Sequence, residues 1–279
     1  MKEEQYDNLF DEKAEEEKTD YRALFFKYFA HWKWFAVSVV ACVALAVVYL
    51  YLATPIYNIT AAVLIEDDKK GGSITNDLSA FADLGLINST TNIDNEVEVL
   101  RSKSLIRSVV SELGIYITYS TEDGLKSKDL YKATPFAIDF PVDNADKLEY
   151  PIEMHVSMRP DGGIDVTAEM DDEEIASKQF AKLPAVLPTP MGTITFLDRS
   201  DRTNVDSTYT EFDVNITSAL GTAMGYRNAL TVEPTSKTTS VALISLQNSN
   251  TQRGVDFINK LIEIYNRNAN TDKNEVALN

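Results

Sequence analysis

The most strongly apolar stretch of the chain covers residues 34–53, in which no side chain is charged. As a helix, these roughly 20 residues would be about 30 Å long, which matches the hydrocarbon thickness of a bilayer. Aromatic residues flank both ends of the stretch, as is typical of side chains at headgroup depth. We therefore predict a transmembrane helix over residues 34–53. Its predicted membrane anchors are Trp32, Lys33, Trp34, Tyr49 and Tyr51.

A long buried core helix and a cleaved signal peptide are the alternative interpretations of this stretch. A core helix of this length usually has a polar face, and a signal peptide has a shorter apolar region nearer the start. Arg22, Lys27 and Lys33 precede the stretch, whereas the first basic residue after it is Lys69. Because basic flanks favour the cytoplasmic side, we predict a single-pass protein with a cytoplasmic N-terminus and a periplasmic main domain.

The residues before the apolar stretch divide into two parts. Residues 1–20 are acidic and contain few large apolar side chains, which predicts a disordered cytoplasmic segment. Residues 21–33 combine helical spacing with aromatic side chains, which predicts a juxtamembrane helix. An extension of the spanning helix fits the same residues equally well.

The pattern after Pro55 predicts a periplasmic α+β domain over residues 54–279. An apolar strand comes first, and the 3.6-residue period of residues 92–114 predicts one amphipathic helix that ends at Gly114. Residues 115–217 alternate between apolar and polar positions, with frequent Pro, Gly and Asp, which predicts a β-rich, mostly antiparallel insertion. Hairpin turns are expected at residues 161–163 and 191–192. A buried strand at 241–247 and a C-terminal helix capped by Asn250 or Thr251 complete the pattern.

Composition and motifs argue against catalysis and against nucleic-acid binding. The net charge of −17 and a pI near 4.5 are unsuited to a phosphate backbone. The sequence lacks the G-x-x-x-x-G-K-[ST] phosphate loop, and Cys42, the single cysteine, lies in the apolar stretch. His31 and His155 are too far apart for a short metal-binding motif, and the acidic runs at 66–68 and 171–174 do not converge. We expect no catalytic residue, no cofactor and no metal.

Three segments carry a resemblance to a known family. They are residues 53–66 (ATPIYNITAAVLIE), 96–108 (EVEVLRSKSLIRS) and 244–269 (ISLQNSNTQRGVDFINKLIEIYNRNA). The chain resembles Wzz-type chain-length determinants, also called polysaccharide co-polymerases. It looks most like the membrane and periplasmic half of bacterial tyrosine autokinases of capsule and exopolysaccharide export. The family's helix pattern is E-x-x-x-L-x-S-x-x-[LV]-x-x-V, and the matching positions here are Glu96, Leu100, Ser102 and Leu105, with Ser108 in place of the final Val.

The resemblance implies a non-catalytic inner-membrane protein that acts in capsule, exopolysaccharide or O-antigen (lipopolysaccharide) biosynthesis and export. It implies a homo-oligomer that works with the polysaccharide polymerase and export machinery, with the glycan as an additional candidate partner. Arg101, Lys103 and Arg107 are the candidates for subunit contacts, against the alternative of a solvated helix face.

Family members usually carry a second spanning helix after a Pro-rich segment, and the autokinases then add a kinase domain. Neither is found in this sequence, which predicts a truncated form of a longer protein whose parent could carry a C-terminal tyrosine kinase domain. The alternative function is a single-pass membrane sensor or ligand-binding protein with an extracytoplasmic β-rich domain. That alternative predicts a stable monomer, whereas the co-polymerase predicts an oligomer that survives in detergent.

Overall fold

The computed structural model describes residues 29, 31–65, 90–199, 205–206, 208–236 and 241–278, with only the backbone described at 90–92 and 272–278. The predicted segment 1–20 and most of the predicted helix 21–33 lie outside these residues. The chain divides into two compact units, Met1–Ala53 and Thr54–Asn279. The assignment of residues 34–53 and 54–279 to a membrane and a periplasmic domain stays a prediction.

The first unit contains helix α1 (Trp32–Leu52), on which the predicted apolar stretch falls. None of its residues is buried by the protein itself. Within the described part of the chain, it is the one helix long and apolar enough to cross a bilayer. The helix ends at Leu52 because Ala53 turns to an extended conformation and Pro55 follows, which cannot continue the helical hydrogen bonding.

The second unit is an α+β structure with a β-rich middle and a C-terminal helix, as predicted. Its helices in the described residues are α2 (Thr90–Leu100), α3 (Lys103–Leu113), α4 (Val142–Ala145), α5 (Ala219–Ala229) and α6 (Thr251–Leu278). Its strands are β1 (Tyr57–Leu64), β2 (Ile117–Asp123), β3 (Lys126–Asp129), β4 (Phe136–Asp139), β5 (Ile152–Met158), β6 (Ile164–Met170), β7 (Glu173–Phe180), β8 (Ala185–Thr189), β9 (Gly192–Asp198), β10 (Glu211–Ile216), β11 (Leu230–Pro234) and β12 (Val241–Asn248).

The strands β1, β12 and β11 form an antiparallel sheet in that order, and helices cover one of its faces. We call this sheet with α2, α3, α5 and α6 the base layer. The alternating residues Ala242, Ile244 and Leu246 of the central strand are fully buried against the helices. Asn250 accepts a hydrogen bond from the backbone N–H of Arg253 (3.0 Å), which confirms it as the cap of α6.

The single helix predicted over residues 92–114 is wrong, because α2 and α3 are separate helices with a break at Arg101–Ser102. At about 100° per residue, Leu100 and Ile106 would lie about 120° apart around one continuous helix, so both could not face the core. Ser102 resolves this conflict by adopting an extended conformation and accepting a hydrogen bond from the N–H of Leu105 (3.4 Å). The predicted end of the second helix is confirmed, since Gly114 takes the left-handed conformation of a C-cap.

The β-rich region forms a six-stranded antiparallel sheet, β3-β2-β10-β5-β6-β7, and a three-stranded one, β4-β9-β8. We call this region the sandwich, because buried rings join the two sheets. Phe136 of β4 lies 5.4 Å from the ring of Phe212 in β10 and 6.1 Å from that of Tyr119 in β2. Both predicted hairpin turns are present, with Gly162 and Gly192 at the positive φ that these turns require.

We predict that Phe136→Ala destabilises the sandwich by about 3 to 5 kcal/mol, because the ring is fully buried between both sheets. A matched control is Val186→Ala in β8, whose side chain is 49% exposed and which should cost less than about 1 kcal/mol. Urea unfolding of the full chain in detergent, followed by the circular dichroism of the sheets, measures both. Equal losses of stability in the two variants would contradict the face-to-face packing.

Candidate functional site

The three predicted subunit-contact residues lie at the start of α3, in three different environments. Arg107 donates from Nε and Nη2 to Oδ2 of Asp146, at 3.0 and 2.6 Å, so its charge is used within its own subunit. Arg101 lies at the break before α3, and its backbone carbonyl accepts a hydrogen bond from Nε of Arg227 in α5 (3.1 Å). Lys103 is exposed. The subunit-contact role of all three stays a prediction, and these contacts favour Lys103 as the residue available to a neighbour.

Asp146 joins three parts of the second unit. Besides Arg107 of α3, its other oxygen, Oδ1, accepts hydrogen bonds from the Leu220 N–H (2.8 Å) and the Ser218 hydroxyl (3.2 Å) at the start of α5. Burial alone would raise the pKa of the Asp146 carboxyl, but the hydrogen bonds from Arg107 and Leu220 outweigh it and hold the pKa below its ordinary value. Asp146 follows α4, so the carboxylate holds the sandwich chain to two helices of the base layer.

Ion pairs and hydrogen bonds at its start and near its middle attach α6 to the rest of the second unit. At its start, Arg253 pairs with Asp129 (2.6 Å), and Asp256 accepts from Lys132 (2.6 Å) and the Tyr131 hydroxyl (2.9 Å). Burial, together with the bond to Asp256, raises the pKa of Tyr131, so this phenol stays protonated.

Further along the helix, the hydroxyl of Tyr265 donates to Glu96 of α2 (2.6 Å), and Arg267 pairs with Glu112 of α3. The helix is therefore fixed to α2, α3 and the segment after β3. Sequence reasoning missed these contacts because their partners lie more than 100 residues apart, beyond any local spacing rule.

The described residues contain no group of three or more His, Cys, Asp or Glu arranged to hold a metal ion. His155 lies on the solvent face of β5 with Nδ1 3.0 Å from Oδ1 of Asp213, and both side chains are more than half exposed. An exposed pair of this kind contributes little to stability. Cys42 is exposed on α1. The ion pairs of Asp146, Asp129 and Asp256 position helices relative to sheets.

The predicted membrane anchors all lie on α1 and are all exposed. Trp32, Lys33 and Trp34 occupy its first turn, and Tyr49 and Tyr51 occupy its last. This spacing puts the two aromatic groups at opposite ends of a 21-residue helix, as an interfacial role would require. The anchoring role itself stays a prediction.

Comparisons with known proteins bear on the N-terminal part of the chain. Residues 17–113 match the family model of the chain length determinant protein, Wzz. The tyrosine-protein kinase ptk of Acinetobacter johnsonii is 26% identical over 106 residues, which are 38% of this chain. The chain spans only 14% of that relative's length. The resemblance drawn from the sequence is confirmed, and the match covers α1, β1, α2 and α3 but not the sandwich.

We predict that Asp146→Asn destabilises the second unit by about 1 to 3 kcal/mol at neutral pH, because charge-assisted hydrogen bonds are lost. The pKa of Asp146 is lowered in the folded state. Its stabilising effect is therefore fully present above the ordinary value of 3.8 and is lost as the pH falls through the folded pKa. The difference between wild type and variant should shrink in acid.

Asp143→Asn is the matched control, since this exposed aspartate lies three residues away and loses the same charge. Its effect should be below about 0.5 kcal/mol. Urea unfolding as a function of pH measures both variants, and a pH-independent loss in Asp146→Asn would contradict the role of the charge.

Proposed function

We propose that this chain is the membrane anchor and periplasmic region of a polysaccharide co-polymerase of the bacterial inner membrane. The protein sets the length of a glycan made for a capsule, an exopolysaccharide or O-antigen, and it forms no covalent bond with that glycan. The observation that supports this proposal best is the continuous family match over residues 17–113. This one match covers the candidate spanning helix α1 together with β1, α2 and α3 of the base layer.

The proposed mechanism is assembly of several copies side by side. The base layer offers an edge strand, β1, whose outward residues are exposed, and the exposed Lys103 at the start of α3. We propose that neighbouring subunits meet through this layer and together present the sandwich to the polymerase and the export machinery. Such an assembly changes where the growing glycan can bind and how long it stays bound, and neither step needs a catalytic residue.

The kinase activity in the name of the Acinetobacter johnsonii relative belongs to that protein. We propose no phosphoryl transfer by this chain, because its sequence lacks the glycine-rich loop with Lys and Ser/Thr that holds nucleotide phosphates. A longer parent protein with a kinase domain and a second spanning helix stays a prediction.

The second candidate function is a membrane sensor or ligand-binding protein. The size of the sandwich favours it, since nine of the twelve strands in the described residues, β2 to β10, belong to the sandwich and lie outside the segment that matches the family. The two functions differ in oligomeric state. A sensor is expected to be a monomer in detergent, whereas a co-polymerase is expected to be an oligomer.

We predict that deletion of the gene changes the length distribution of the surface glycan and that the wild-type chain restores it. Lys103→Glu should shift the distribution and weaken the detergent-stable oligomer, because a charge at the proposed contact is reversed. Gel electrophoresis of the glycan and chemical cross-linking in membranes measure the two effects. An unchanged glycan after deletion would refute the proposed function.

The matched control is Lys182→Glu, which reverses an exposed charge in the sandwich between β7 and β8. It should leave the oligomer unchanged at the same protein level. If Lys182→Glu and Lys103→Glu changed the oligomer equally, net charge rather than a local contact at α3 would be responsible.

We predict that alkaline phosphatase fused after residue 279 is active in a bacterial host, because this enzyme folds only outside the cytoplasm. The same enzyme fused after residue 20 should be inactive. The reason is the excess of basic residues before α1, which favours a cytoplasmic N-terminus. The reverse pattern of activities would contradict the proposed orientation.

A further inference from the structure

A cavity of about 330 Å³ lies where the sandwich meets the helices of the base layer. Its walls come from parts of the chain that are far apart in sequence: the start of β2, the helix α5, the end of β12 and the first turn of α6. The volume is at the lower end of the range for small-molecule sites. The fold itself therefore builds this cavity, and no part of the proposed assembly accounts for it.

The wall contributed by α5 consists of Tyr226 and three small residues. Thr222, Gly225 and Ala229 line the cavity from one side of this helix. A Cβ added at the exposed Gly225 would meet no atom within 4 Å, so this position faces open space. Glycine lowers the stability of a helix relative to alanine, and at this position it leaves the cavity open.

The hydrogen-bonding groups of the cavity include both a free acceptor and a free donor. The Thr217 hydroxyl donates to the Tyr116 carbonyl (3.2 Å), so the proton between Thr217 and Thr222 (2.9 Å) comes from Thr222. The oxygen of Thr222 can therefore still accept. Within the described residues, the Tyr226 hydroxyl has one hydrogen bond, which it accepts from Nδ2 of Asn248 (3.4 Å). Burial raises the pKa of Tyr226, so the phenol keeps a proton that it can donate.

The cavity is close to electrically neutral. Among the described residues that line it, Arg253 is the one with a charge, and this side chain is only 11% exposed. Its Nη2 lies 2.6 Å from Oδ2 of Asp129, which neutralises the guanidinium. A phosphate or a uronic acid would need an unpaired cation here, and the pairing with Asp129 removes it.

The Tyr226 ring has a fixed orientation. It stacks on Phe257 of α6, with ring centroids 4.5 Å apart and an angle of 12° between the planes. Ala229 adds apolar surface to the lining, and the buried Ile115 lies behind it with only 2% of its surface exposed. The cavity therefore combines an apolar surface with hydroxyl and amide groups that both donate and accept, and this is the chemistry of a pyranose ring with its C–H face and its hydroxyls.

We propose that this cavity binds an uncharged sugar unit of the glycan whose length the protein sets. This inference rests on the proposed function and assigns it a binding site. The Thr222 oxygen accepts from one sugar hydroxyl, and the Tyr226 hydroxyl donates to another, one helical turn away. The C–H face of the ring lies against Ala229.

The test uses the full chain in detergent and saturation-transfer NMR. The probe is the mixture of oligosaccharides released by mild acid from the surface polysaccharide of the producing cells, separated by anion exchange into uncharged and acidic pools. The wild-type chain should bind the uncharged pool. Gly225→Leu should weaken this binding by about tenfold or more, because the new side chain fills the cavity.

The matched control is Gly221→Leu, the same substitution one turn earlier on α5, where an added Cβ would be in ordinary contact with Ser218 at 3.6 Å. Gly221 does not line the cavity, so binding should stay within about twofold of wild type. Tyr226→Phe removes the donor with almost no change of shape and should weaken binding by about three- to tenfold. If Gly225→Leu fails to fold, the binding measured with Tyr226→Phe tests the inference instead.

Four results would overturn the inference: no binding of the uncharged pool by wild type, tighter binding of the acidic pool, equal losses in Gly221→Leu and Gly225→Leu, or unchanged binding in Tyr226→Phe. Glycan length in cells separates this inference from the proposed function. If deletion of the gene alters the length but Gly225→Leu restores it fully and binds normally, only the cavity inference fails. If deletion alters nothing, the proposed function fails.

Discussion

The antiparallel pairing of β1 with β12 is the constraint on which the rest of the second unit depends. It joins Tyr57 to Asn248, so the first strand of the unit and its last strand lie side by side. The start of α6 then packs directly on β1, because Gly254 has no side chain. A Cβ at this position would lie 2.6 Å from Cδ1 of Ile59, closer than atoms can approach. The chain between these two strands, which includes the whole sandwich, therefore starts and ends at the same sheet.

The ion pairs between the sandwich and the helices of the base layer add a second constraint, on the angles between these elements. The buried apolar residues of the base layer and the sandwich form one continuous cluster, but apolar burial has no direction and so does not by itself fix the angles between elements. Hydrogen bonds to carboxylates have a direction. Asp146 binds groups of α3 and α5, Asp129 binds Arg253 at the start of α6, and Asp256 of α6 accepts from Lys132, which follows β3. The three aspartates, at the end of β3, after α4 and within α6, thus add directed contacts between the sandwich and the helices of the base layer.

The sequence predicted local structure well and long-range structure poorly. The apolar stretch of α1, the alternation in the sandwich strands and the glycine turns at Gly162 and Gly192 follow from periodicity and backbone sterics, which act over a few residues. The break at Ser102 was missed because its neighbours favour a helix, and only the change of buried side between Leu100 and Ile106 reveals it. The strand orders, the partners of Asp146 and the cavity beside Gly225 depend on residues brought together from distant parts of the chain, so no local pattern encodes them.

The two ends of the sandwich meet at a single point. Ile117 at the start of β2 pairs with Ile216 at the end of β10, and the N–H of Thr217 donates to the carbonyl of Tyr116 (2.9 Å). The chain therefore leaves the base layer and returns to it through one pair of adjacent backbones. A short turn could close this gap, so the hundred or so intervening residues form a cassette that evolution or an engineer can replace while β1, β12 and β11 stay paired. The replacement would have to supply new partners for Arg107, Arg253 and Asp256, whose partners Asp146, Asp129 and Lys132 leave with the cassette.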